Sequence, residues 1–194
     1  MPLLRSWTLW QQTVGSGYDP QRVVAFSTAQ EFWAVWNGVP QPSEMLEGKV
    51  MREQPDGQSL AIDAIMIFSD RISPEWEHAA NAKGGHFAIE LVPHIGGGQI
   101  DEYWNRIVLA VIGESMESSD IITGLRLVDK LSGKRKVSDR IRLEVWYHSR
   151  ATIEERATLL RGVERALSTR LDGSLGPALR EGTISDKKHG LEHW

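Results

Sequence analysis

An α+β fold, a largely antiparallel sheet backed by helices on one face, is predicted by three features of this 194-residue sequence. Short β-branched or aromatic segments outnumber helical ones, strand-like neighbours are joined by local turns, and two of the three helical segments open on a Thr-x-x-Glu capping box. The length suits one domain with a substantial core and is short for two.

Residues 5–10 (RSWTLW) and 22–26 (RVVAF) predict two strands, separated by the turn formers Gly15, Gly17 and Pro20. In STAQEFWAVWNG, Thr28 and Glu31 form the capping box of a helix. Phe32, Val35 and Trp36 share one face of it and Gly38 stops it. Trp33 points about 100° away from Phe32 at the helical pitch and is expected on the exposed side. Residues 39–60 are rich in proline and lack periodicity, so they read as a connecting loop. SLAIDAIMIF and HFAIELV read as strands on either side of a loop at 69–85, with Phe87, Ile89 and Leu91 alternating against Ala88 and Glu90. After the glycines at 96–98, QIDEYWNRIVLAVIGES predicts a helix. It has acids in its first turn, apolar residues at 104, 107, 108, 111 and 112, and Gly113 at its end. IITGLRLVDK and RIRLEVWYH flank the polar turn LSGKRKVSD and predict a hairpin. Thr152 and Glu155 cap a third helix, with Ile153, Ala157, Leu160, Val163 and Leu167 as the expected buried stripe. The domain is expected over residues 1–172, and the Gly- and charge-rich stretch 173–194 as a partly flexible C-terminal segment.

A net charge of −4 makes the molecule as a whole repel nucleic acid, so phosphate contacts would have to come from the basic cluster at 130–142. No apolar stretch reaches bilayer length, and no membrane partner is expected. Cysteine is absent, which removes thiolate nucleophiles, disulfides and Cys-ligated zinc and fits a reducing compartment. MPLLRSWTLW lacks a signal-peptide core, so the expected location is the cytoplasm, with a nuclear fraction allowed. Eight tryptophans stand against four Phe and three Tyr, an excess of the ring with the strongest face for cations and bases.

In the hairpin, alternation puts Arg126, Val128 and Lys130 on one face of the first strand and Arg142, Glu144 and Trp146 on one face of the second. With Ile141, Leu143 and Val145 turned to the helices, the charged face is expected to look outward. A solvated basic turn beside an edge tryptophan would give the same pattern. Trp76 and Glu77 are adjacent in the 69–85 loop. A carboxylate accepts two parallel hydrogen bonds from a donor–donor edge such as that of guanine, and a neighbouring Trp stacks on the same base. If that base is alkylated at N7, each aromatic face adds about 0.5–2 kcal/mol of cation–π attraction. Taken alone, Trp76 also suits a loop anchor.

Several ordered stretches resemble one family. They are MPLLRSWTLW, TAQEFWAVWN, PEWEHAANAKGGHF, YWNRIVLAVIGES and RIRLEVWYH, and together they cover residues 1 to about 172. They are similar, in order and spacing, to the messenger RNA 5′-cap-binding translation initiation factors of the 4E type. The resemblance implies a curved sheet of about eight strands backed by three helices on its convex face, with the C-terminal segment packing near the cap site. It implies that Trp76 and a second aromatic sandwich 7-methylguanine, that Glu77 reads its edge, and that Trp146 lies near the methyl group. Lys130 and Arg142, with Arg140, stand where the family binds phosphate. The usual second Trp is missing from the loop after the first strand, and Tyr18 is the only aromatic there. His86 and Phe87 replace the family's usual Arg and Trp. The longer basic turn adds Lys134, Arg135 and Lys136, which would reach further, modified cap nucleotides.

On the dorsal surface, the resemblance implies docking of a 4G-type scaffold or a 4E-binding repressor at Pro2, Trp33, Asn105, Arg106 and Ile112. Asn105 stands where Leu is common and Arg106 where an acid is common, so the partner motif would differ in charge or register. The short N-terminus suggests a compact, divergent protist-type, kinetoplastid-like paralogue. The expected role is cap binding that starts translation; the alternative is a cap-binding repressor or storage factor. A cap- or nucleotide-processing enzyme is the remote reading. His78, His86 and His94 recur at intervals of eight without converging on one metal, there is no P-loop or Gly-x-Ser-x-Gly, and Glu114, Glu117 and Asp120 lack a partner. No cofactor or metal is expected.

Overall fold

Strand alternation assigns the two faces of a curved antiparallel sheet. Leu9 of β1 (Pro2–Thr13), Ile65 and Ile67 of β4 (Ser59–Ser69), Phe87 and Ile89 of β5 (Gly85–Leu91), Leu125 and Leu127 of β6 (Ile122–Asp129), and Leu143 and Val145 of β7 (Ile141–Tyr147) all turn to one large apolar core. With β2 (Gln21–Thr28), β3 (Met51–Glu53) and β8 (Ile184–Lys188) they form eight strands in the order β2-β1-β4-β6-β7-β5-β8, β3 pairing with β4. The computed structural model describes residues 1–15, 17–53, 56–131, 140–177, 179–180 and 182–190. Lys134, Arg135 and Lys136 lie outside the described residues.

Three longer helices, α1 (Ala29–Trp36), α3 (Gly97–Ile112) and α4 (Ile153–Leu167), cover that face. The capping boxes of Thr28 with Glu31 and Thr152 with Glu155 are both formed, satisfying N–H groups that the first helical turn leaves without partners. In α3 the residues at 104, 107, 108, 111 and 112 are all buried and Gly113 is the C-cap. That helix starts at Gly97, two residues ahead of expectation, so Asp101 and Glu102 fall beyond the first turn. Asp101 instead accepts the Ser43 backbone N–H at 2.7 Å, near the start of α2 (Pro42–Glu47).

Two expectations need correction. The stretch 39–60 is not all loop: Pro42 opens α2, and Met51–Glu53 adds a short strand to β4. The buried stripe of α4 is Leu159, Val163, Ala166 and Leu167, while Ile153 is 79% exposed. At 100° per residue Ala157 sits about 120° from Val163, outside the face that meets the sheet. Within the C-terminal segment, Ile184–Lys188 forms β8 and takes a place in the sheet beside β5. Asp186 fixes it there, accepting from the Tyr147 hydroxyl at 2.5 Å and from Arg156 of α4 at 2.9 Å. Among the described residues no helix is long and apolar enough to cross a membrane.

Candidate functional site

On the opposite, concave face the register lines up functional side chains in rows across the strands. Phe68, Gly124, Trp146, His86 and Lys187 form one row; Met66, Arg126, Glu144 and Ala88 the next; Ala64, Val128, Arg142 and Glu90 the third. Phe68 lies flat over Gly124, where a Cβ would come within 2.4 Å of its ring, and meets Trp146 edge-on at 5.2 Å. The hairpin alternation therefore named the right face but not its accessibility. Trp146 is fully buried under Phe68, His86 and His189, so it does not offer an open surface to a ligand here.

Glu144 sits in the middle of this face, buried, with Arg126 at 3.6 Å, Arg142 at 3.8 Å and the Trp146 indole N–H donating at 2.9 Å. Burial pushes its carboxyl up, but Arg126, His86, the indole and Arg142 together outweigh that and hold it below the usual range. Arg142 also pairs with Glu90 at 2.6 Å. Lys130 continues the same face past the end of β6, its pKa lowered by burial and then by Arg142. Arg140 is exposed, and its carbonyl accepts the Lys130 N–H at 3.1 Å. Lys130, Arg140 and Arg142 thus collect at one end of the concave face, with Arg126 and Glu144 between them and Trp146.

At the other end two loops meet. Tyr18, 47% exposed, donates its hydroxyl to the carbonyl of Pro74, two residues before Trp76. Burial of that hydroxyl pushes its pKa to about 12. The Arg126 guanidinium lies over the Tyr18 ring at 5.3 Å. The 70–84 loop is held by Asn81, fully buried, whose side-chain amide donates to the carbonyls of Ser73 and Glu75 at 3.0 and 2.9 Å. Gly84 and Gly85 let the loop rejoin the sheet: a Cβ on either would come within 2.3 Å of Tyr147. Trp76 remains 37% exposed, and Glu77 is exposed with no hydrogen-bond or ion-pair partner among the described residues.

A histidine pair lies behind Trp76. His189 Nδ1 is 2.9 Å from the Asn81 carbonyl, so that nitrogen carries the proton of a neutral ring. Its bare Nε2 then accepts from His86 Nδ1–H at 3.0 Å, which leaves the His86 Nε2 lone pair facing Glu144 at 3.9 Å without a donor. Burial drives the His86 pKa down to about 4, against the opposing pull of Glu144. His78 is engaged in its own loop with Arg71, and His94 sits in a short 3₁₀ turn. Among the described residues no His, Asp or Glu group could hold a metal.

On the helical side Trp33 is 46% exposed and Pro2 is exposed. Asn105 is consumed internally: it accepts the Trp36 indole N–H at 2.8 Å and donates to Gln41 at 2.7 Å, tying α3 to α1 and to the start of α2. Arg106 is part-buried, lining a cleft of about 420 Å³ between α3 and α4 together with Arg161 and Arg165. Ile112 is only 3% exposed in the apolar core, so, contrary to expectation, it presents no surface to a partner. Sequence reasoning left four residues out of the site: Arg126, Glu144, Asn81 and His189. Alternation had placed the first two on the right face; nothing local marked Asn81 or His189.

Residues 2–189 match the family described as Eukaryotic initiation factor 4E. The eukaryotic translation initiation factor 4E of Saccharomyces cerevisiae is 36% identical over 141 residues, covering 69% of this chain and 59% of that protein. That of Dictyostelium discoideum is 27% identical over 164 residues, covering 81% and 55%. The chain thus spans between about half and two thirds of these relatives' length. Among solved structures, Schistosome eIF4E complexed with m7GpppG and 4E-BP has a TM-score of 0.71 at 21% identity, covering 96% of this chain and 87% of that one. C. elegans eIF4E-3 with the 4E-binding protein Mextli and cap analog has a TM-score of 0.69 at 17% identity, covering 96% and 91%. These likenesses establish the fold, and with the match across nearly the whole sequence the chain belongs to the eukaryotic initiation factor 4E family.

Proposed function

We propose that the concave face binds the 7-methylguanosine 5′ cap of messenger RNA, with the base between Trp76 and Tyr18 and the guanine edge on Glu77. The observation that carries this reading is the Tyr18 hydroxyl on the Pro74 carbonyl, which brings the only aromatic of the β1–β2 loop to the loop bearing Trp76 and Glu77. An exposed carboxylate without a hydrogen-bond or ion-pair partner among the described residues suits a ligand edge that brings two donors. Lys130, Arg140 and Arg142 are the phosphate cations of this reading. Arg142 and Trp146 are four residues apart on β7, about 13 Å at the strand rise, so phosphates would run from the aromatic end toward the basic one. Buried Trp146 supports the base from below rather than meeting its methyl group openly. Lys134, Arg135 and Lys136 are proposed to extend the contacts to later cap nucleotides.

The exposed Trp33 and Pro2 are proposed to dock a scaffold of the 4G type or a 4E-binding repressor. The engagement of Asn105 inside the protein and the positive charge of Arg106 favour a partner of different charge pattern from the family's usual one. Co-purification of a scaffold lost on Trp33→Ala favours initiation; a repressor captured through the same residue favours storage or repression. The deciding measurement for cap binding is intrinsic tryptophan fluorescence during titration with 7-methylguanosine triphosphate or GTP. Quenching is expected with the methylated nucleotide at more than about tenfold lower concentration, from the cation–π difference. Trp76→Ala is expected to abolish that preference. Equal quenching by both nucleotides, or by neither, contradicts the reading.

A further inference from the structure

The residue after β8 is 5% exposed although the sequence around it is polar. The His189 ring stacks on Trp76 with centroids 5.6 Å apart and planes at 21°, and stands 4.4 Å from the Trp146 ring. Three hydrogen bonds hold it: its backbone N–H to the Gly84 carbonyl at 3.1 Å, Nδ1–H to Asn81 at 2.9 Å, and Nε2 from His86 at 3.0 Å. Trp76 lies in a stretch of turns and bends between β4 and β5, outside the strands of the sheet among the described residues. The orientation of its indole is therefore set by what packs against it.

We propose that His189 is a positioning residue for base stacking: it backs one face of Trp76 and fixes the indole plane before a base arrives, which makes the C-terminal strand part of the ligand site. This rests on the cap-binding reading above. Without the backstop, more of the ordering of the indole falls to the base as it binds, and the lost preorganisation weakens affinity by about three- to tenfold. Asn81 serves both sides, holding the Trp76 loop through its side chain and His189 through its carbonyl. Loop and strand are thereby coupled through one buried residue.

Two measurements test this. In ligand-free protein, acrylamide quenching is compared between wild type and His189→Ala, each with Trp76 present or replaced by Phe. His189→Ala also uncovers Trp146, so some increase in quenching is expected in both backgrounds, and a clearly larger increase when Trp76 is present; an equal change in both backgrounds, or no change, overturns the proposal. In titrations with 7-methylguanosine triphosphate, His189→Ala is expected to bind about three- to tenfold more weakly. His189→Phe, which restores a ring without the two side-chain hydrogen bonds, is expected to recover most of the loss. Unchanged affinity in His189→Ala, with wild type still preferring the methylated nucleotide over GTP, overturns the proposal. A wild type with no such preference defeats the cap reading instead, and the ligand-free comparison then decides the positioning role. Should His189→Ala fail to fold, His189→Phe must quench like wild type; quenching above the wild-type level overturns it.

Discussion

The convex face of the sheet meets α1, α3 and α4 through Trp7, Trp36, Trp104, Ile107 and Val163, whereas the concave face packs a smaller apolar cluster among the described residues, Ala64, Met66, Phe68, Val128 and Trp146, with Trp10 and Ile72 against it. Around that small cluster stand Arg126, Arg142, Glu90, Glu144 and His86, and on that side Trp10 Nε1, Gln12 Oε1, His86 Nε2, Glu90 Oε2 and Arg126 Nε are buried without hydrogen-bond partners among the described residues. The convex side has its own in the indole nitrogens of Trp7 and Trp104 and in Arg106 Nε and Arg156 Nε of the helices, so the sharper contrast is in the apolar packing. The difference still teaches where each kind of residue is tolerated. Apolar burial on one face, at about 25 cal/mol per Å², holds the fold and lets the other face keep costly buried polar groups.

The largest expected effect tests that division directly. Trp104 is fully buried, its ring 5.7 Å from that of Trp36, and Trp104→Ala is expected to cost about 3–5 kcal/mol in urea unfolding. Trp76→Ala removes a ring of the same kind from the half-open rim and is expected to cost less than about 1 kcal/mol. A larger loss from the rim variant than from the core variant would break the comparison.

The same division explains what could be read from the amino-acid sequence. Convex positions follow periods of 2 and 3.6, so β4, β5, β6, β7, α1 and α3 were legible, as were the capping boxes at Thr28 and Thr152. Leu159 and Ala166 in α4 were missed because a helix flanked by charge admits two overlapping stripes. On the concave face, alternation named Arg142, Glu144 and Trp146 as neighbours but could not tell a solvated surface from one covered by the chain's own side chains. That cover comes from Phe68, brought in by β4, and from His189, more than a hundred positions from His86 in the sequence. Neither long-range contact leaves a local pattern.

A second, smaller effect comes from acid. Burial lowers the His86 pKa from 6.5 to about 4, so between those values the unfolded chain binds a proton that the folded chain excludes. Stability is complete above about pH 6.5 and falls as pH drops toward 4, by about 3 kcal/mol from this residue. His189, also lowered first by burial, adds in the same direction. The groups facing His86 are Glu144, which favours its protonation, and His189, Arg142 and Lys187, which oppose it. In His86→Gln the acid-side slope of urea-derived stability is expected to shrink without vanishing. An unchanged slope would show that the concave face is not the acid-sensitive one.

The smallest effect separates the two things Tyr18 does. Its ring offers a π face, with the Arg126 guanidinium already 5.3 Å from its centre, and its hydroxyl tethers it to the Pro74 carbonyl. Tyr18→Phe keeps the ring and removes the tether, a partly exposed hydrogen bond of about 0.5–1 kcal/mol, so affinity for 7-methylguanosine triphosphate should fall about two- to fivefold. The preference over GTP should survive, because the stacking face is intact. Tyr18→Ala removes the face as well and should reduce the preference itself, since in the proposed reading that preference comes from the charge of the methylated base on two aromatic surfaces. If both variants weaken the two nucleotides equally, Tyr18 only braces the Trp76 loop, and the base is held by Trp76 on one side alone.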